Sequence, residues 1–158
     1  DHGEGLYRRS LYTFWKRTCP PPTLTTFDAP DREFCVVRRS TTNTPLQALI
    51  LMNDPTYVEA ARRIAERLLT EVAATPEDRI RYAYRLVLCR PARNDEVQVL
   101  REVYRAQLAR YQKDQEAARK LLAVGESPRN GKLEVAEHAA WTAVGGVLLN
   151  LDEVITKN

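Results

Sequence analysis

The sequence is poor in the residues on which metal and redox sites are usually built. Two histidines and three cysteines occur in 158 residues. Cys19, Cys35 and Cys89 are scattered, and no C-x-x-C or C-x-x-C-H pattern is present, so no haem attachment site lies in this stretch. An odd, widely spaced set is not a disulfide framework. Three free thiols, packed as small hydrophobes, are expected, with one Cys19–Cys35 or Cys35–Cys89 bridge as the alternative. His2 is far from His138, which shares a helical stretch with Glu134 and Glu137, so neither reads as a zinc or haem ligand. Asp28, Asp31, Glu33 and Asp54 lack EF-hand spacing, and a calcium site needs six to eight oxygens. No metal is expected.

Other absences narrow the function. There is no G-x-S-x-G elbow, and Cys19 and Cys35 have no histidine nearby to act as a base. No apolar run reaches the roughly 20 residues that cross a bilayer. The longest, Ala139 to Leu151, is shorter and is interrupted by Thr142 and Asn150. Neither charge sign dominates: 24 basic against 21 acidic residues leave +3, too even for a nucleic-acid binder with a basic stripe. No repeat or low-complexity tract is apparent. No leader peptide is recognisable. The stretch opens on "DHGEGLYRRS" without an initiator Met, so it is expected to be a piece of a longer polypeptide.

What is present is helical punctuation. Thr44-Pro45-Leu46-Gln47 reads as a capping box, Asp54-Pro55 as a second start and Thr75-Pro76 as a third. The first helix should end near Met52. In the second, Val58, Ala61, Ala65, Leu68 and Val72 form an apolar stripe, with Arg62, Arg63, Glu66 and Arg67 off it. The third should bury Ile80, Ala83, Tyr84, Val87 and Leu88. Asn94 should cap a fourth that turns Val97, Leu100, Tyr104, Leu108 and Tyr111 inward, and that either continues through Leu122 or breaks near Asp114. Residues 124–132 have loop chemistry. A last helix, about 133–151, is apolar nearly all round and belongs at the centre of a bundle. Gly145-Gly146 within it marks close approach of another helix or of the amino-terminal segment.

Residues 1–43 differ. They hold four of the nine prolines, and Pro20–Pro22 should be extended. A short helix is expected over 7–17 and a short strand over 33–37. The expected architecture is all-α: about five helices over 44–158, with the irregular Pro/Arg-rich segment 1–43 packed on them as part of one domain.

Two readings compete for the arginines of that segment. Arg8, Arg9, Lys16, Arg17, Arg38 and Arg39 are candidates for holding an anion, since the planar guanidinium fork grips such oxygens in pairs. Over residues 1–43, however, seven basic side chains face five acidic ones. The preferred reading pairs the arginines internally with Asp28, Asp31, Glu33 and backbone carbonyls. Asp28, Asp31, Thr44, Gln47 and Asp54 are then structural partners. Tyr7, Tyr12, Phe14 and Trp15 read as core sooner than as a stacking platform.

Several long motifs occur in order: "LYRRSLYTFWKRT", "PPPTLTTFDAPDREFCVVRRSTTNTPLQALILMNDP", "RLVLCRPARNDEVQVL" and "AAWTAVGGVLLNLDE". Together they resemble the planctomycete cytochrome-c-associated domain of unknown function numbered fifteen-fifty-three, in its carboxy-terminal portion, over essentially the whole chain. The resemblance implies a large exported protein of the periplasm, cell envelope or medium. It also implies a c-type haem in an upstream domain and no cofactor in this fragment. It carries no catalytic residue. The reading is a non-catalytic structural or interaction module whose partners are other domains of the same protein. The alternative is an enzyme or binding domain acting on sulfated or uronic polysaccharide through residues 8–39. No nucleic-acid partner and no membrane span are expected.

Overall fold

The computed structural model describes residues 3–16, 18–31, 33–72 and 75–156. Its helices follow the proline punctuation. α1 (Pro22–Thr26), α2 (Pro45–Asn53), α3 (Pro55–Glu71) and α4 (Pro76–Leu88) each begin with proline, where a missing N–H forfeits no intrahelical bond. Thr44 and Gln47 close a capping box: Thr44 Oγ1 accepts the Gln47 amide at 3.3 Å, and Gln47 Oε1 accepts the Thr44 amide at 2.9 Å. Asp54 accepts the Thr56 amide at 2.8 Å, and Thr75 the Asp78 amide at 3.3 Å.

α5 (Asn94–Lys113), α6 (Gln115–Leu122), α7 (Val135–Leu149) and α8 (Asp152–Thr156) complete the order. Among the described residues there are eight α-helices and no strand, so the fold is all-α. The number exceeds five for identifiable reasons. α1 and α8 are five-residue helices with too few positions to show a period. The long fourth helix breaks at Asp114, whose φ of −122° and ψ of 80° leave the helical region and whose carboxylate accepts the Ala117 amide at 2.9 Å. The cap of α5 is also displaced by one residue. Arg93 holds the cap position and donates its amide to Glu96 at 2.7 Å, while Asn94 is already helical.

α7 is the central rod, packed by α3, α5 and α6. Trp141 is fully buried and stacks on Tyr104 of α5 with ring centroids 4.5 Å apart. A β-carbon at Gly145 would lie 2.8 Å from the Ala61 carbonyl oxygen, so glycine there lets α3 and α7 approach closely. The neighbour at Gly145 is thus a helix, not the amino-terminal segment. The stripes of α4, α5 and α6 turn inward as their spacing requires, with Ile80, Ala83, Tyr84, Val97, Leu100, Tyr104, Tyr111, Ala118 and Leu122 buried. On α3 the stripe is wider than its apolar residues. Glu59 and Arg62 are also buried, so Arg62 does not lie on the solvent face.

The amino-terminal segment departs from expectation. In place of a helix over 7–17 there are two 3-10 turns, Gly3–Tyr7 and Ser10–Tyr12, separated by extended backbone at Arg9. Residues 33–37 form bends, not a strand. A strand needs a partner for its ladder, and the described residues offer no other strand. Pro22 is not extended but opens α1. Tyr7, Tyr12 and Phe14 are exposed rather than core. Cys19, Cys35 and Cys89 are free, and all three are exposed rather than buried.

Candidate functional site

The stretch "RRSTTNTPLQALILMNDP" forms the junction between the irregular segment and the bundle. Gln47, on the first turn of α2, is 1% exposed. Its amide nitrogen donates to the Thr26 carbonyl at 2.8 Å and to Thr42 Oγ1 at 3.1 Å, and it lies 3.5 Å from Asp28 Oδ2. Asp28 has a positive φ of 59°, an uncommon conformation for a residue with a β-carbon but one that aspartate tolerates. That backbone turns its carboxylate towards Thr42, which donates its amide at 2.8 Å and its hydroxyl at 2.9 Å. Asn43 donates to Asp152 at 2.7 Å and so ties the segment to α8. Arg39 donates to the Phe27 carbonyl, and the Phe27 ring packs 5.8 Å from that of Tyr57 on α3.

Around this knot lies a cleft of about 340 Å³. Its polar wall is Asp28, Arg39, Thr42 and Gln47, and its floor is Leu51, Tyr57, Leu149 and Val154. A second cleft, about 540 Å³, shares Phe27, Arg39 and Tyr57 and adds Leu11, Trp15 and Leu24. A few polar groups over an apolar floor is the usual make-up of a small-molecule site. Burial raises the Tyr57 phenol above its ordinary range, with the nearby Asp54 carboxylate adding to it.

The six cationic candidates do not share one cleft. Arg39 lines the two just described, while Arg8 lines another, of about 460 Å³, beside Tyr7, Thr56 and Arg63. Arg9, Lys16 and Arg38 are exposed, and Arg17 lies outside the described residues. Among the described residues, none of Arg8, Arg9, Lys16, Arg38 and Arg39 enters a salt bridge. Two of the three acidic residues expected to neutralise them are engaged elsewhere: Asp28 serves Thr42 and Gln47, and Asp31 accepts the Glu33 amide at 3.0 Å. Asp54 caps α3, as its place before Pro55 predicts. The segment is held by hydroxyls, amides and the Asp28 carboxylate, and among the described residues Arg39 is the candidate cation that holds a carbonyl. No three His, Cys, Asp or Glu side chains among the described residues group as a metal site would require.

The buried polar pair that sequence reading missed is on α3. Glu59, 4% exposed, accepts the Tyr7 hydroxyl at 2.8 Å and the amides of Glu126 and Ser127 at 2.8 and 3.3 Å. Arg62 donates to the carbonyls of Leu122 and Ser127 at 3.2 and 2.8 Å and lies 3.9 Å from Glu59. Burial pushes the Glu59 carboxyl upward, but hydrogen bonds from Ser127, Tyr7 and the two amides prevail and hold it below the usual range. The same bond to Glu59 is the main reason that the Tyr7 phenol is raised. His138 is fully buried, with Nε2 3.4 Å from the Arg62 carbonyl oxygen, and burial lowers its pKa. The available signal for Arg62 was register: it stands one residue after Ala61 and three before Ala65, at the edge of the α3 stripe.

A family model described as PSD1, protein of unknown function (DUF1553), matches residues 1–104. The chain belongs to this family. The DUF1553 match takes in Asp28, Thr42 and Gln47 of the knot and the "RLVLCRPARNDEVQVL" stretch, and it stops short of α6, α7 and α8, and so of Asp152. No curated protein and no solved structure matches the chain.

Proposed function

We propose that this DUF1553 chain is a non-catalytic interaction module, serving other domains of a larger exported, cytochrome-c-associated protein. One observation supports it above the rest. Within residues 28–54 Asp28, Thr42 and Gln47 bond one another, while six large apolar side chains turn outward. Phe34, Val36, Val37, Leu46, Leu49 and Met52 are each more than half exposed, and Val37 is wholly so. Reacting groups need the reverse arrangement, with polar side chains free at the mouth of a cleft. Exposed apolar side chains in such number mark a surface that another body covers. No helix of the described residues is long and apolar enough to cross a membrane.

Hydrogen exchange tests the reading. In the longer polypeptide, amides of residues 33–39 and 46–53 should exchange more slowly than in this chain alone, with α7 unchanged. Equal exchange at those amides in both would refute it.

A second reading has its own support. Trp15, Phe27, Tyr57 and Arg39 line one cleft, and aromatic faces beside a guanidinium suit an acidic sugar. Calorimetry with sulfated and uronic oligosaccharides should then show binding that Arg39→Ala abolishes. Binding that survives the substitution would exclude this cleft.

A further inference from the structure

A helix that is apolar on every side should be covered on every side, and α7 is not. Ala143, Gly146, Val147 and Asn150, at spacings of three, one and three, form a stripe that the bundle leaves open. A β-carbon at Gly146 would meet nothing within 4 Å, and Val147 is 39% exposed. Two shallow clefts lie along this stripe, about 480 and about 430 Å³, and Val147 lines both. We propose that this seam of α5 and α7 is a two-fold interface with a second copy of the chain.

Charge selects that occupant. The first cleft carries Arg110, which among the described residues enters no ion pair and lies over the Tyr111 ring at 5.6 Å. The second is acidic. Its carboxylates Asp95, Glu96, Asp152 and Glu153 face only Arg90 and Arg93, an excess of two negative charges. Asp95 and Arg110 stand at opposite ends of α5, about 22 Å apart at 1.5 Å per residue. A two-fold axis through Val147 sets each copy's Arg110 over the other's acidic end, so one arrangement satisfies both ends at once.

Shape follows the same rule. Val99 protrudes at the second cleft, more than half exposed. The axis places it against the other copy's first cleft. The two α7 rods then run antiparallel, which opposes their dipoles, and Ala143 and Gly146 let them approach.

Sedimentation equilibrium from about 1 to about 200 µM, the range in which interfaces at the small end of the standard size dissociate, should show a monomer–dimer equilibrium. Val147→Arg and Val99→Arg should each weaken it at least tenfold with helical content unchanged by circular dichroism, since both side chains already reach solvent. Arg110→Glu alone and Asp95→Arg alone should also weaken it, because each creates two like-charge contacts. An equimolar mixture of those two variants should dimerise again, since the mixed pair restores both contacts. A monomer throughout the range, a dimer indifferent to Val147→Arg, or a mixture no better than its components would each overturn the proposal.

Discussion

At the scale of single residues, Gln47 joins three segments through one amide: the end of α1, Thr42 and the cap of α2. Gln47→Ala strips that amide from the Thr26 carbonyl and Thr42 and opens the capping box. Each lost hydrogen bond costs about 0.5–1.5 kcal/mol and a lost cap about 1, so urea unfolding should show a loss of about 2–4 kcal/mol with an unchanged denaturant slope. Gly125 has φ of 93°, and a β-carbon there would sit 2.0 Å from Glu59 Oε2. Gly125→Ala should therefore lower the melting temperature, whereas Gly131→Ala, which meets nothing within 4 Å, should change it little. His138 gives a pH signature. Unfolded, it takes up a proton near the ordinary value of about 6.5; folded, burial holds it neutral to lower pH. The unfolded chain then binds the extra proton, so stability should fall as pH drops below about 6.5. In His138→Gln that slope should flatten between pH 7 and 5.

At the scale of elements, ends are set by particular side chains. Asp114 closes α5 and caps α6, so Asp114→Ala should cost about 1 kcal/mol, read by chemical denaturation. α8 is tied to the α4–α5 link by Arg90, which donates to Glu96 and Glu153, both at 2.7 Å. Hydrogen bonds from Arg90 lower Glu96 to about 2, despite an opposing contribution from burial. A depressed carboxylate stabilises the fold above its unfolded pKa and ceases to do so as pH falls through the folded one. The Arg90 tie should thus weaken between about pH 4.5 and 2, a loss reduced but not abolished in Glu96→Gln, since Arg90 also holds the Glu153 carboxyl of α8 below its ordinary range.

The helical elements were legible because proline, cap and apolar period agree at Thr44, Asp54 and Thr75. The irregular segment was not. "EFCVV" has strand composition, yet strand pairing depends on a partner that no local pattern reveals. Asp28 and Thr42 are fourteen residues apart, and only the fold brings them together. Glu59 and Arg62 were hidden for the same reason: charged residues read as solvated until a loop, here Gly125 to Ser127, closes over them.

At the scale of the whole molecule, a bundle built on α7 carries a strap fastened at several points. Tyr7 reaches Glu59, Gln47 and Asp28 hold the middle, and Asn43 reaches Asp152. These ties set carboxylates against neutral donors, not against cations, so the attachment should respond weakly to salt, because screening acts chiefly between charges. Melting temperature in 50 mM and 1 M sodium chloride should differ by only a few degrees.

Amide hydrogen exchange, residue by residue, probes the knot most directly. Thr42 and Gln47 donate their amides to side chains across the junction, and Thr44 donates to Gln47 itself. In Gln47→Ala the protection of Thr42 and Thr44 should collapse together, while amides within Ala139–Leu148 keep theirs. Unchanged protection at Thr42 would contradict the account, because it would mean that the strap holds its place without Gln47.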